Sequence, residues 1–226
     1  MNTHWNKVGA AAALFEAVAY LVGFGFVLGV LQPAFGNNAT TLHKLGVILS
    51  MAGWFQAWNA VIYILFGAVL VALVIALHDV LAGGAALLMK TASSFGLIWS
   101  GMVIATGTIS NIGLAVVQSI YVENAQQAVL AWQVWGAVQD GLGGGVEFVG
   151  GIWITLVSVS ALQTQAFPRM LNYLGLATGL AGVLTLISPL KELGAVFGIG
   201  QIAWFIGLGA VLLRLPGKAR GAHETA

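Results

Sequence analysis

The 226-residue chain has no cysteine and few charged residues. The missing cysteine excludes disulfide bonds and thiolate metal sites. Charged side chains make up 7% of the sequence, against roughly 25% in a soluble domain, so this chain could not cover its own surface in water. A formal net charge of +1 leaves no basic stripe for nucleic acid. A soluble domain and a nucleic-acid-binding protein are therefore excluded.

Motifs of well-known enzyme and cofactor sites are also missing. The chain has no HExxH, no GxSxG and no phosphate-binding loop. His43 and His78 fall at opposite ends of apolar segments, so they cannot form a bis-histidine haem site. No lysine lies in the middle of an apolar run, where it could hold a retinal. We predict no catalytic residue, no cofactor and no metal site, and an enzyme has no positive support.

Long apolar runs make up most of the chain, and hydrophobic residues are 59% of it. A helix needs about 20 such residues to cross a hydrocarbon core of about 30 Å, and lipid leaves no alternative partner for backbone groups. We therefore predict a single all-α domain, residues 1–226, that is a polytopic membrane protein with a bundle of six transmembrane helices. The predicted spans are Val8–Leu31, Trp54–Leu77, Phe95–Gln118, Gly141–Gln163, Met170–Pro189 and Leu193–Leu213.

The basic residues predict the orientation of these spans. Most of them fall on the side that holds both termini, and only Lys44 and Lys191 fall on the other. By the positive-inside rule, both termini face the cytoplasm, and we expect the inner (plasma) membrane of a bacterium. Residues 216–226 are predicted to form a short disordered cytoplasmic tail. The basic residues on the terminal side are Lys7, Lys90, Arg169, Arg214, Lys218 and Arg220.

Two stretches are not simple spans. Residues 32–53 are predicted to form an external connection, in which the helical spacing of Leu42, Leu45 and Leu49 indicates a short interfacial helix or an early start to the second span. Residues 125–163 would be nearly 60 Å long as one straight helix. The chain must project beyond the membrane there, or break at residues 141–145, where four of the five residues are glycine.

Glu16 and Glu147 are the only charged residues inside the predicted spans. A charge in lipid costs about 2.5–3.5 kcal/mol even on the lenient scale, so each carboxyl group needs a reason to be there. Glu16 falls in the cytoplasmic half, within reach of a basic residue such as Lys7. Glu147 falls in the external half. Their different depths argue against one acid–base pair.

A polar cavity open to the outside is the sharper interpretation of Glu147. Asp140, Glu147, the glycine break and His43 would line it, and it would bind a small cation or a polar solute. The alternative is that Glu147 is protonated or hydrogen-bonded and only specifies packing; a metal site from His43, Asp140 and Glu147 is a less favoured alternative. The candidate ligand- or ion-binding residues are Glu147, Asp140, His43 and Glu16.

Small residues and polar residues predict how the helices pack. Glycine pairs four residues apart allow close helix packing or self-association. The third span carries several hydroxyl and amide side chains, which join helices or, alternatively, line a pore. The glycine pairs are Gly25/Gly29, Gly141/Gly145, Gly175/Gly179 and Gly194/Gly198, and the polar residues are Thr106, Thr108, Ser110, Asn111 and Gln118.

From about Glu147 onward the chain resembles a family. The segments that carry the resemblance are EFVGGIW at 147–153, FPRMLNYLGL at 167–176 and VFGIGQIAWF at 196–205. They are similar to small bacterial membrane proteins grouped as a domain of unknown function (the 4386 group), mainly over residues 147–214. The resemblance implies a bacterial membrane protein with six or seven helices. It implies no activity, substrate or catalytic residue.

Three classes of function stay open. The favoured class is a non-catalytic accessory subunit or small-ligand-binding protein, because the extramembrane mass is small and no catalytic motif is present. A small solute or cation transporter or channel, using Glu147 and Asp140, is the alternative. A membrane enzyme acting on lipid or an apolar substrate is the third. The expected partners are the lipid bilayer and a larger membrane complex or a homo-oligomer formed through glycine-rich helix faces.

Overall fold

The computed structural model describes residues 3–144 and 147–215. Within these ranges the chain forms helices and no strand, so the predicted all-α bundle is confirmed. Four helical stretches are long and apolar enough to cross a membrane. The predicted disordered tail, 216–226, lies outside the described residues.

The first half of the chain forms a long helix, a short helix, and a second long helix that bends sharply into two arms. The long helical stretch that starts at Ala52 bends at Ala85, whose φ of −144° and ψ of 47° are not helical. We call the arm before the bend α3 (52–84) and the arm after it α4 (86–123). The bounds in this half are Thr3–Phe26, Val27–Leu31 and Gln32–Phe35 for α1 (3–35), Thr41–Ser50 for α2, Ala52–Asn59 and Ala60–Leu65 for the start of α3, and Phe66–Glu123 for the rest.

The second half begins with a helix that folds back along α4. Asn124 caps it, because its side-chain oxygen accepts hydrogen bonds from the backbone N–H groups of Gln126 and Gln127 at 3.0 and 3.1 Å. Three more helices follow up to residue 215, where the described residues end, and a short 3₁₀ turn at Ser188–Leu190 joins the last two. The bounds are Ala125–Gln139 and Asp140–Gly144 for α5 (125–144), Phe148–Thr164 for α6, Arg169–Leu184 for α7 and Leu193–Arg214 for α8.

One end of the bundle collects basic residues, and we call it the basic end. There the Asn6 side-chain amide donates to the Leu215 carbonyl at 3.5 Å, and the backbone of Gly9 lies against Ala76 and Leu212. The bend at Ala85 is at the same end, because Gly84 lies against Thr164. Lys7, Lys90, Arg169 and Arg214 therefore lie toward the same end of the bundle, the pattern expected near a membrane boundary.

The six helices α1, α3, α4, α6, α7 and α8 share one apolar core. Close backbone approach joins α6 to α7, where Gly151 faces Gly179 and Gly182. On α8, Gly198 receives the ring of Phe24 from α1. These contacts confirm the packing role predicted for Gly179 and Gly198, whereas Gly25 and Gly29 on α1 face open space.

Helix α5 and the last part of α4 form a hairpin that extends away from the basic end. Trp135 lies across Gly113 and donates its indole N–H to the Ile109 carbonyl at 2.8 Å. At the end of the hairpin that is nearer the basic end, the Thr106 hydroxyl donates to the Leu142 carbonyl at 3.2 Å. Glu123 lies roughly 25 Å beyond Thr106 at the helical rise of about 1.5 Å per residue. Thr106 thus joins helices as the sequence predicted.

The chain breaks between α5 and α6. Gly143 has a φ of +108°, which only glycine adopts without strain, and α6 begins at Phe148. Of the two predicted alternatives for residues 125–163, the structure has the break. Of the two predictions for the connection before α3, the structure has the short helix, α2 at Thr41–Ser50, which the non-helical Met51 separates from α3.

Candidate functional site

A cavity of about 350 Å³ lies between α1, α3 and α4, beside the break that precedes α6. This volume is near the lower limit of the roughly 300–1,000 Å³ typical of ligand pockets, so it suits a small molecule. The lining is mostly aromatic and contains a single ionisable acid, Glu147, and no basic side chain among the described residues. The lining residues are Ala19, Tyr20, Gly23, Phe24, Val27, Trp58, Ile62, Tyr63, Phe66, Trp99, Val103, Gly143 and Glu147.

Two π-helical segments and the chain break border this one cavity. Val27 begins the first π-helical segment, in α1. Ile62 and Tyr63 belong to the second, in α3. Gly143 has non-helical backbone angles at the end of α5, and all four residues line the cavity. A π-helical turn holds one extra residue, costs helix stability and is frequently found at functional sites, so two such turns beside the break mark this cavity as the candidate site.

The aromatic rings of the wall are held in fixed orientations by edge-to-face packing. Phe66 meets Tyr20 at 82° and Trp99 at 74°, with ring centroids 5.6 Å apart in both pairs. Trp58 stacks on Phe26 of α1 with a centroid distance of 5.1 Å. Such pairs add about 0.5–1.5 kcal/mol each beyond burial, so the wall is preorganised.

Glu147 is positioned by its backbone at the start of α6. Its N–H donates to the Thr185 hydroxyl at 2.9 Å, and its carbonyl accepts from Gly151 at 2.8 Å. The side chain is half-buried and lines the cavity. Close by, the buried indole N–H of Trp58 has no acceptor among the described residues. The cavity thus offers one carboxyl group.

Glu16 lies in the core, one helical turn before Tyr20 of the cavity wall. Its exposure is 0%, and neither carboxyl oxygen has a hydrogen-bond partner among the described residues. The basic residues predicted to reach it make no ion pair with it within those ranges. Counted from Gly9 at about 1.5 Å per residue, Glu16 is roughly 10 Å from the basic end. Glu147, counted along α6 from Ala161, is roughly 20 Å from that end.

The structure does not bring Asp140 and His43 into the cavity with Glu147. Asp140 forms a 2.6 Å ion pair with Lys191, and both side chains are about half exposed. His43 lines a separate depression of about 460 Å³ beside Tyr121. No group of three acidic or histidine side chains that could hold a metal ion occurs within 3–144 and 147–215. The four predicted candidates therefore occupy four separate places.

The sequence contained a signal for the aromatic wall that the prediction did not use. Tyr20 and Phe24 are four residues apart on α1, and Trp58, Ile62 and Phe66 have the same spacing on α3. This spacing places each set on one helix face. Two aromatic faces in neighbouring spans mark a shared wall, although ordinary core packing gives the same pattern.

Replacing Asp140 with asparagine should have a small effect. A half-exposed ion pair contributes only about 0–1 kcal/mol and weakens in salt. We therefore expect the Asp140→Asn protein to unfold thermally within about 3 °C of the unchanged protein, with the difference vanishing in 1 M NaCl, where charges are screened over about 3 Å. Thermal unfolding of the purified protein in detergent, at low and high salt, measures this. A large loss of stability at both salt concentrations would contradict the assignment of Asp140 to the surface pair.

The similarity to the 4386 group is a resemblance in residues 147–153, 167–176 and 196–205. Comparison of the chain with protein-family models, with curated proteins and with solved structures finds no match.

Proposed function

We propose that this protein is a membrane-embedded binding protein for a small organic cation, such as an amine or quaternary ammonium with an apolar body. The observation that carries the proposal is the aromatic cavity whose lining includes the carboxyl group of Glu147 and no basic side chain among the described residues. An apolar neutral ligand would need no carboxyl group there. An anion would be repelled by it.

Aromatic walls attract cations because the face of each ring carries negative electrostatic potential. One such contact contributes about 0.5–1 kcal/mol at an exposed site and about 2 kcal/mol when it is desolvated. Tyr20, Trp58 and Trp99 offer three such rings from three helices. The carboxylate adds a full opposite charge, which a buried cation needs. A bound cation would also give Glu147 the partner that its position inside the membrane requires.

The proposed setting is a bacterial inner membrane with the basic end in the cytoplasm. Lys7, Lys90, Arg169 and Arg214 toward one end of the bundle support this orientation. Lys191 and Asp140 would then mark the external boundary, roughly 30 Å away along α8. The cavity would lie in the external half of the membrane, closer to Lys191 than to Arg214.

Binding of three ligands of similar shape tests the proposal. The cation is benzyltrimethylammonium, the neutral carbon analogue is neopentylbenzene, and the anion is phenylmethanesulfonate. We expect the cation to quench the tryptophan fluorescence of the purified protein saturably, because Trp58 and Trp99 line the cavity. The neutral analogue should bind more weakly, and the anion should not bind. Equal affinity for the cation and the neutral analogue would contradict the proposal.

Glu147→Gln isolates the role of the charge. This change keeps the shape of the side chain, so the protein should fold and retain the affinity for neopentylbenzene. Affinity for benzyltrimethylammonium should fall by about tenfold to a hundredfold, since a desolvated charge pair contributes several kcal/mol. Asp140→Asn is the matched control and should bind the cation normally. An unchanged Kd for the cation in Glu147→Gln would show that the carboxyl group is structural.

A further inference from the structure

The Glu16 carboxyl group is not explained by the cavity or by packing. It is fully buried, and both of its oxygens lack a partner among the described residues. An unpaired carboxylate in such surroundings costs several kcal/mol, whereas a protonated carboxyl group costs far less. In this arrangement Glu16 therefore carries a proton. Leucine or methionine would fill the same space at lower cost, so packing alone does not account for a carboxyl group here.

The surroundings of Glu16 link it to the cavity. Tyr20 follows Glu16 by one helical turn and lines the cavity. The ring of Tyr20 packs on Phe205 of α8, with a centroid distance of 6.4 Å. Gln201, one turn before Phe205, is also fully buried, and its amide N and O atoms lack partners within the described ranges. The interface between α1 and α8 thus holds two buried polar side chains, Glu16 and Gln201, that have no hydrogen-bond partner among the described residues.

Few charged or titratable groups face Glu16 from the helices around it. On its own helix there is Tyr20, and nine residues earlier Lys7 lies at the basic end. From α3 the nearest is Tyr63, and from the start of α6 it is Glu147, both in the cavity wall. Helix α8 has no charged residue between Leu193 and Leu213, and α4 has none between residues 91 and 120. The groups near Glu16 whose charge can change are therefore those of the cavity wall and of a ligand bound in the cavity.

We propose that Glu16 is the proton-binding site of a proton–cation exchanger. This inference rests on the proposed function. A cation in the cavity favours the carboxylate form of Glu16, so the O–H bond of Glu16 breaks and its proton leaves to water at the basic end. The positive charge of the ligand replaces the positive charge of the proton. When Glu16 takes up a proton again, the cation is released, so one charge is exchanged for another across the membrane.

Two measurements on the full-length protein test the exchange. The first is the Kd of benzyltrimethylammonium in detergent. The second is accumulation of the radiolabelled cation in proteoliposomes that are acidic inside, with the membrane potential held at zero by valinomycin and equal K⁺. The unchanged protein should bind the cation and accumulate it, and dissipating the pH gradient should stop the accumulation. Glu16→Gln has the charge of the protonated form, so it should bind the cation about tenfold more weakly, within the usual range of coupling between sites, and accumulate it about tenfold less.

Two further variants separate proton exchange from a structural role of Glu16. Glu16→Asp keeps a proton-binding group and should restore part of the accumulation. Ser158→Ala removes another buried side chain in the bundle that lacks a partner among the described residues, and it should accumulate the cation normally. Ser158 lies against Gly175 and outside the cavity lining. Ser158→Ala therefore matches Glu16→Gln in the burial of the altered side chain, but it removes no proton-binding group.

Each outcome bears on a different proposal. If the unchanged protein binds no cation, the proposed function fails, and the exchange fails with it. If the unchanged protein binds the cation but does not accumulate it, the exchange alone is overturned. The same holds if Glu16→Gln accumulates the cation as fast as the unchanged protein, because the proton then uses another group. Binding of the cation by the unchanged protein, with accumulation lost in Glu16→Gln and partly restored in Glu16→Asp, supports the exchange.

Discussion

A Gly151→Ala variant is expected to lose about 3 kcal/mol of stability, because α6 and α7 touch through their backbones at this point. A methyl group on residue 151 would lie 2.6 Å from the Gly179 carbonyl oxygen and 2.6 Å from the Val183 backbone nitrogen. Neither atom belongs to a side chain that could rotate away. The two helices must separate, and the contacts along both are weakened together.

Thermal unfolding in detergent measures this loss, which corresponds to a fall of about 10 °C in Tm for a chain of this size. Gly101→Ala is the matched control. Gly101 is an exposed helical residue of α4, and a methyl group there would meet no atom within 4 Å. Alanine at such a position stabilises a helix by about 0.5–1 kcal/mol, so the control should keep or slightly raise the Tm. Equal Tm values for the two variants would mean that α6 and α7 are not packed at Gly151.

The membrane class and the helical bundle could be predicted because they depend on hydropathy summed over long windows. Each predicted span needs only about 20 apolar residues, and errors of a few residues at its ends leave it a span. The break before α6 was also accessible, because four glycines in five residues destabilise any helix. In both cases a local property of the chain decides the outcome.

The grouping of site residues could not be predicted, because it depends on the helix geometry around the break. Asp140 and Glu147 are seven residues apart, which would place them on one face of a continuous helix. The φ of +108° at Gly143 removes that relation. Asp140 then meets Lys191 on the surface, while Glu147 enters the cavity wall. The break thus separates two carboxyl groups that the sequence places together.

The π-helical segments were also beyond sequence reasoning. A π-turn differs from an α-turn by one extra residue, and the residues of Ala60–Leu65 are those of any apolar span. What selects the π-turn is packing on both sides: Gly107 of α4 lies against Tyr63 and Ile64, and Gly23 of α1 lies against Ile62. These contacts come from distant parts of the chain, so no local window contains the information.

The extra residue of the π-turn in α3 can be tested by deletion. Deleting it should remove the part of the cavity wall that this turn forms, and the fold should be kept. A π-turn holds one residue more than an α-turn, so deletion of Val61 lets α3 close into a regular α-helix. The parts of α3 on both sides then keep their faces toward α1 and α4. We expect this variant to fold, with Tm within about 5 °C of the unchanged protein. Its affinity for benzyltrimethylammonium should fall by at least about tenfold, about 1.4 kcal/mol.

Deletion of Val71 is the matched control, because it removes a similar residue from the regular α-helical part of α3. No extra residue is present there, so one arm of α3 must rotate by about 100° relative to the other. Buried residues such as Leu70 and Leu73, both 0% exposed, could not keep their positions together, and this variant should fail to fold. Size-exclusion profiles and Tm values distinguish the two deletions. If the Val61 deletion also fails to fold, or if it folds and binds the cation normally, the π-turn of α3 does not build the binding wall.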